Sequence, residues 1–130
     1  MSRNPYVRAV PRTTWYMRNG RYFRYMLREV SSLFIGVYMA GLAMSLMRLA
    51  QGPKAWDAYV DGLSSPVALV FHALALAFAT YHAMSWFNVA PRAMRIRRGD
   101  DYVPDSLIVR AHYILWGVVS LVILVLVGVL

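Results

Sequence analysis

The sequence predicts an all-α membrane protein: three transmembrane helices in an up-down-up bundle, with the N-terminus in the cytoplasm. Three observations predict it. Hydrophobic residues make up 59% of the 130 positions and charged residues only 15%, where a soluble domain carries roughly a quarter charged. The apolar residues fall into three blocks, each about as long as the ~20 residues a membrane-crossing helix needs. Arginine gathers before the first block and between the second and third, which is how cytoplasmic ends are marked.

Taken in order, the whole chain reads as a single membrane-anchor domain, 1–130. It opens on a basic head, residues 1–24, whose arginine run (Arg3, Arg8, Arg12, Arg18, Arg21, Arg24) carries on to Arg28. Pro5 and Pro11 argue against helix in the first dozen residues. Trp15–Leu27 alternates aromatics with arginine, as in a segment lying along lipid headgroups. The first apolar run starts only near Val30, and no small-residue cleavage site follows, so it reads as a span and not a signal peptide.

The first span is expected over about 25–49. Gly36 and Ala40, then Gly41 and Ser45, sit at small-xxx-small spacing that lets another helix approach. Gly52–Pro53 ends it. Residues 51–65 read as a loop, with Trp56 and Tyr59 as interface aromatics. Ser65 before Pro66 has the form of an N-cap with proline at the first helical position. The second span is expected over 66–89, stopping before Pro91. Gly99–Asp100–Asp101 reads as a turn, and the third span runs over 106–130. The loop between the first two spans has Arg48 and Lys54; the next has Arg92, Arg95, Arg97 and Arg98. The head and the second loop are therefore assigned to the cytoplasm, the first loop and the C-terminus to the outside.

Composition excludes several functions. All the basic residues but Lys54 are arginine, and the net charge is +8. These arginines flank apolar spans instead of lining a soluble face, so nucleic acid is rejected as a partner. The chain has no cysteine, which excludes disulfides, thiolate zinc sites and iron–sulfur clusters held by this chain. It has no Gly-rich phosphate loop, no carboxylate pair at catalytic spacing and no metal-ligand pair at helical spacing.

Ionisable residues near membrane spans are costly and invite a functional reading. The candidates are Arg28, Glu29, His72, His82, Arg110 and His112. In the expected topology, Arg28 and Glu29 enter the membrane at the cytoplasmic end of the first span. His82 and Trp86, four residues apart on one helix face, leave it at the cytoplasmic end of the second. Arg110 and His112 come to the same level. Such a cluster suits a quinone headgroup, which needs hydrogen-bond partners for two oxygens and an aromatic wall. Glu29 is a proton acceptor, His82 a partner for a ring oxygen and Trp86 a wall or indole donor. Each residue also has a plainer reading. Glu29, the sole glutamate, is a first-turn carboxylate favoured by the helix dipole and Arg28; His82 is hydrogen-bonded within the bundle; Trp86 belongs to the interface belt. His72 is a packed histidine or, with a second histidine from a partner, a haem ligand.

Four stretches resemble a family of membrane anchors, the C subunits of fumarate reductase. They are Asn4-Pro5-Tyr6-Val7-Arg8, Tyr22 to Glu29, Gly52-Pro53-Lys54-Ala55-Trp56 with Val60-Asp61, and His82 with Trp86-Phe87 and Ala90-Pro91-Arg92-Ala93. The resemblance spans essentially the whole chain. It implies a subunit that is not catalytic alone. With a second hydrophobic anchor, the D subunit, it would tether a flavoprotein and an iron–sulfur protein to the cytoplasmic face of a bacterial inner membrane. It also implies menaquinol bound at the interface with those partners and feeding fumarate reduction, in electron transport for anaerobic respiration. Glu29 would transfer protons, and Arg28, His82 and Trp86 would bind the quinol. The family's pattern differs at Val30, Ser31 and Ser32, which makes Ser32 a further hydroxyl for the quinone. No haem is expected, although His72 departs from the pattern. Two alternatives are a haem b-containing succinate dehydrogenase anchor and a small proton-coupled transporter. The second wants an acid near mid-membrane, and Glu29 lies at one end.

Overall fold

The computed structural model describes residues 9–128. The Asn4–Arg8 motif, Arg3 and the last two residues of the expected third span lie outside them. Within that range the regular elements are almost all helical, and three helices are long and apolar enough to cross a membrane. This is the all-α membrane architecture that the apolar blocks predict.

Helix α1 spans Gly20–Ala50, 31 residues, so it begins five residues before the expected start. Asn19 explains this. Its backbone is extended, and its side chain accepts a hydrogen bond from the Arg21 amide at 2.9 Å, satisfying a donor that the first turn leaves orphaned. A single 3₁₀ turn, Trp15–Arg18, precedes the cap and packs on α1. There the Trp15 and Tyr22 rings meet edge to face at 5.6 Å. At 1.5 Å per residue α1 is about 46 Å long, well beyond the ~30 Å hydrocarbon layer. The basic, aromatic stretch that reads as headgroup-level segment is in part the first turns of this helix.

Residues 51–65, read from sequence as a loop, contain a second helix, α2, Pro53–Leu63. Gly52, at φ 103°, breaks α1 in a conformation that favours glycine, and Pro53 starts α2 at a position where its missing N–H costs nothing. Trp56, Tyr59–Val60 and Leu63 recur at helical spacing, a period hidden by its shortness. Tyr59 anchors α2 on α1 by donating its hydroxyl to the Gly41 carbonyl at 2.9 Å.

Helix α3, Pro66–Ala93, starts where expected. The Ser65 hydroxyl accepts from the Ala68 amide at 3.4 Å, a cap with Pro66 next to it. It then runs through Pro91 instead of stopping before it. Proline removes one i→i−4 bond, but the ladder resumes at once, with the Met94 amide donating to the Ala90 carbonyl at 2.8 Å. Pro91 is buried, so packing offsets the missing bond.

The expected turn at Gly99 is the tip of a small antiparallel hairpin, β1 Arg97–Arg98 and β2 Asp101–Tyr102. Gly99 has φ 64° and Asp100 a negative φ, the pattern of a type II′ turn with glycine first. Helix α4 covers Asp105–Leu126, about 33 Å at 1.5 Å per residue, a close match to the hydrocarbon thickness.

The chain divides into two compact units, one ending at Ala79 and the other beginning at Thr80. Helix α3 contributes to both. In the first unit Phe34 stacks on Phe78 with ring centroids 4.3 Å apart, and Tyr38 meets His72 at 5.7 Å. Partners on α3 descend as those on α1 climb, so these segments run antiparallel. In the second unit Phe87 contacts His112, Tyr113 and Trp116 at 5.5, 5.2 and 6.0 Å. Among the described residues the buried ones are few: Ser31, Ala75, Pro91 and Ile108. Most large apolar side chains point outward, Val67 and Leu126 among the furthest, as suits a protein whose solvent is lipid.

Candidate functional site

The first group of candidate residues lies in one turn of α1. Arg28 and Ser31 share a face, as do Glu29 and Ser32, because residues three apart are neighbours on a helix. The first face is turned inward: Arg28 is half-buried and Ser31 fully buried. The second is exposed on this chain. Both serines bond back to their own helix, Ser31 to the Arg28 carbonyl at 2.5 Å and Ser32 to the Glu29 carbonyl at 2.6 Å. Such back-bonds let a hydroxyl sit in an apolar span without an external partner. The Arg28 guanidinium lies 5.5 Å from the centroid of the Tyr25 ring, close enough for a cation–π attraction. Sequence reasoning picked Ser32 as the added hydroxyl. Ser31 is the buried one, and only its pairing with Arg28 at helical spacing could have signalled it.

The second group lies on α3. His82 and Trp86 share a face, with ring centroids 6.3 Å apart. His82 is half-buried and Trp86 exposed, so the indole faces whatever adjoins this chain. The Ser85 hydroxyl donates to the His82 carbonyl at 2.8 Å. Arg28, Ser31, His82 and Trp86 each take part in further polar or ring contacts. Arg28, Glu29 and Ser32 belong to the first unit, His82 and Trp86 to the second.

The other two histidines are tied to their own helices. His72 donates from Nδ1 to the Ala68 carbonyl at 2.6 Å, and His112 does the same to Ile108 at 2.8 Å. Since a carbonyl only accepts, Nδ1 is the donor in each of these bonds. His72 borders a mostly apolar cavity of about 330 Å³ lined also by Ile35, Tyr38 and Leu76. His112 sits against Phe87 in a cluster that sequence reasoning missed. There Asn88 donates to the Tyr113 hydroxyl at 3.2 Å and to the Met84 carbonyl at 2.7 Å. The spacing of His112 and Trp116, one helical turn apart on α4, was the available signal. Arg110 is exposed.

Known proteins give these residues a context. The sequence model of one family, described as the C subunit of fumarate reductase, matches residues 1–128. The chain belongs to the fumarate reductase C-subunit family. Among its relatives, the fumarate reductase C subunit of Mycobacterium tuberculosis is 35% identical over 109 residues, which cover 84% of this chain and 86% of that protein. That of Vibrio cholerae is 32% identical over 126 residues, 97% of this chain and 98% of its own. The C subunit from Aliivibrio fischeri is equally similar, at 32% over 126 residues. All the candidate residues fall inside the stretch matched to the family. The resemblance read from four short motifs is thus a family membership that spans the chain.

Proposed function

We propose that this chain is a membrane-anchor subunit of a fumarate reductase and contributes one wall of its menaquinol-oxidising site. The match to the C-subunit family over residues 1–128, on a chain with three candidate spans, carries this reading. The absence of cysteine supports the division of labour: electrons must leave through a cluster held by another chain. The partners are a flavoprotein, an iron–sulfur protein and a second hydrophobic subunit, in a bacterial inner membrane. Arginine in the head and in the α3–α4 connection puts both on the cytoplasmic side, so the spans alternate up, down, up.

Distances along each helix put each site residue in the part of its own span nearest the arginine-rich end. Glu29 lies about 14 Å from the start of α1 and His82 about 16 Å from the end of α3, at 1.5 Å per residue. With both ends assigned to the cytoplasmic side by the arginines, each residue falls in the cytoplasmic half of its own span. Menaquinol supplies two electrons and two protons when it is oxidised. Glu29, on the exposed face of α1, takes a proton from a ring hydroxyl. His82 hydrogen-bonds the other oxygen and takes the second proton from it, and Trp86 forms an apolar wall with an indole donor. Arg28, beside Tyr25 and Ser31, holds a fixed positive charge that steadies the oxyanion character developing on the ring. Ser32 is one turn from Glu29 on the same face and adds a hydroxyl there.

The test is mild-detergent extraction of the tagged chain from its native membrane. The expected result is co-purification of a flavin-containing protein and an iron–sulfur protein, together with menaquinol-driven fumarate reduction. A chain that comes down without either refutes the anchor reading.

A further inference from the structure

Beyond the quinol site, the junction of α3, the hairpin and α4 forms a cleft of about 290 Å³ within the second unit. Pro91 and Ile108, both buried, lie at its base with Val103. Arg95, Tyr102 and Asp105 supply its polar lining and are exposed. The cleft therefore carries one cation and one anion over an apolar base. Arg95 is held with its guanidinium 5.9 Å from the Tyr102 ring centroid, and among the described residues neither Arg95 nor Asp105 is engaged in an ion pair. Of the hairpin arginines, Arg97 is committed elsewhere: it donates from Nε to the Gly99 carbonyl at 3.1 Å. The amides opening α4 add donors, because its N-cap, Pro104, offers no side-chain acceptor.

We infer that this cleft binds the headgroup of a phospholipid bearing a primary amine, of the phosphatidylethanolamine class. Its position decides for lipid: the cleft lies where the apolar runs of two membrane-spanning helices end, at headgroup level. Its charges decide which lipid. Arg95 and the α4 amides meet the phosphate, and Asp105 accepts from the ammonium. A purely anionic headgroup offers Asp105 hydroxyls at most, with no cationic donor to offset the phosphate charge that the carboxylate then opposes. A choline headgroup has no N–H to donate. The apolar base receives the glycerol end of the molecule.

The experiment takes the detergent-extracted complex, strips bulk lipid, and reconstitutes it into nanodiscs holding equal parts of ethanolamine, glycerol and choline phospholipids. Retained lipid is then read by native mass spectrometry. The wild-type protein should enrich the ethanolamine lipid about tenfold over choline, the size of one charge-assisted hydrogen bond. Asp105→Asn should bring ethanolamine and glycerol lipids to within about twofold of each other, and Arg95→Gln should lower retention of all three. Equal retention of ethanolamine and choline lipids by the wild-type complex overturns the assignment, and so does preference for the glycerol lipid. Selectivity that survives Asp105→Asn also overturns it, by locating the effect in another site. The wild-type competition needs no variant, so poor folding of a substituted chain leaves the test intact. The outcome is independent of quinol turnover, which is measured separately.

Discussion

Helix α3 carries two histidines ten residues apart, and the surroundings of one differ from those of the other. His72 is locked by its own helix, Nδ1 to the Ala68 carbonyl, with its ring between Tyr38 and Phe71. It borders a cavity whose lining is mostly apolar. His82 stands one turn from an outward-facing tryptophan, towards the end of the helix where the arginines gather. A histidine set against hydrocarbon and bonded to its own helix is worth most as a packed, internally satisfied ring. A histidine beside an open aromatic face is worth most as a binding group. Residue type alone does not tell them apart; position along the span and the flanking chemistry do.

The largest expected effect tests the polar end of this comparison. Glu29→Gln keeps the size and hydrogen bonding of the side chain but cannot take a proton. Menaquinol-driven fumarate reduction should fall at least about a hundredfold, the lower range for loss of a general base, with assembly unchanged. Full turnover in membranes containing the assembled complex removes Glu29 from the mechanism. His72→Gln in the same assay should leave turnover within about twofold. A large loss there would mean that the two halves of α3 are not divided as proposed.

Next in size, His82→Ala should weaken a quinone-site inhibitor by about tenfold, as expected when one hydrogen bond to a bound ring is lost. The matching His72→Ala should change inhibitor affinity little and instead lower thermal stability. Equal inhibitor affinity in wild type and His82→Ala would count against the assignment of His82.

Packing separates the halves in a second way. Phe78 stacks on the single ring of Phe34, while Phe87 touches three rings on α4. Phe87→Ala should therefore destabilise by about 2–3 kcal/mol, below the full cost of a buried phenylalanine because part of the ring faces out. Phe78→Ala should cost about half as much. Detergent-phase thermal unfolding, followed by circular dichroism, reads both; the reverse order would mean that ring contacts do not set the stability of the two halves.

Much of this was open to reading in the amino-acid sequence, and the reason is physical. In lipid every backbone group must be paired inside its own segment, so twenty apolar residues have few structures available, and the three spans follow. The motifs around Glu29 and His82 were legible because charged and polar residues stand out against such blocks. What sequence reasoning missed depended on packing between segments. Pro91 marks a helix end by local rules, and only its burial beside α4 explains why α3 continues. Ser31 and Ser32 are adjacent and chemically identical, yet one is buried and the other open; that follows from which face of α1 is turned inward. The small pairs Gly36–Ala40 and Gly41–Ser45 point to a partner helix that completes the bundle, and α2 of this chain makes no use of them. A methyl at Gly36 or Gly41 would meet nothing within 4 Å, so α2 settles on α1 without needing either glycine.

That last point makes the smallest effect the most discriminating. Since no close approach at Gly41 holds α2 in place, the hydrogen bond from the Tyr59 hydroxyl to the Gly41 carbonyl is the specific polar tie between the two helices. A helix carbonyl already accepts one bond from its own ladder, so the second is worth about 1 kcal/mol. Tyr59→Phe removes it and keeps the ring. Hydrogen exchange of the α2 amides should then speed up by about fivefold, the equivalent of that energy, while α1 and α4 are unchanged. Gly41→Ala should leave α2 exchange as it was, because the added methyl finds open space. If the alanine loosens α2 and the phenylalanine does not, the two helices are joined by close backbone packing after all.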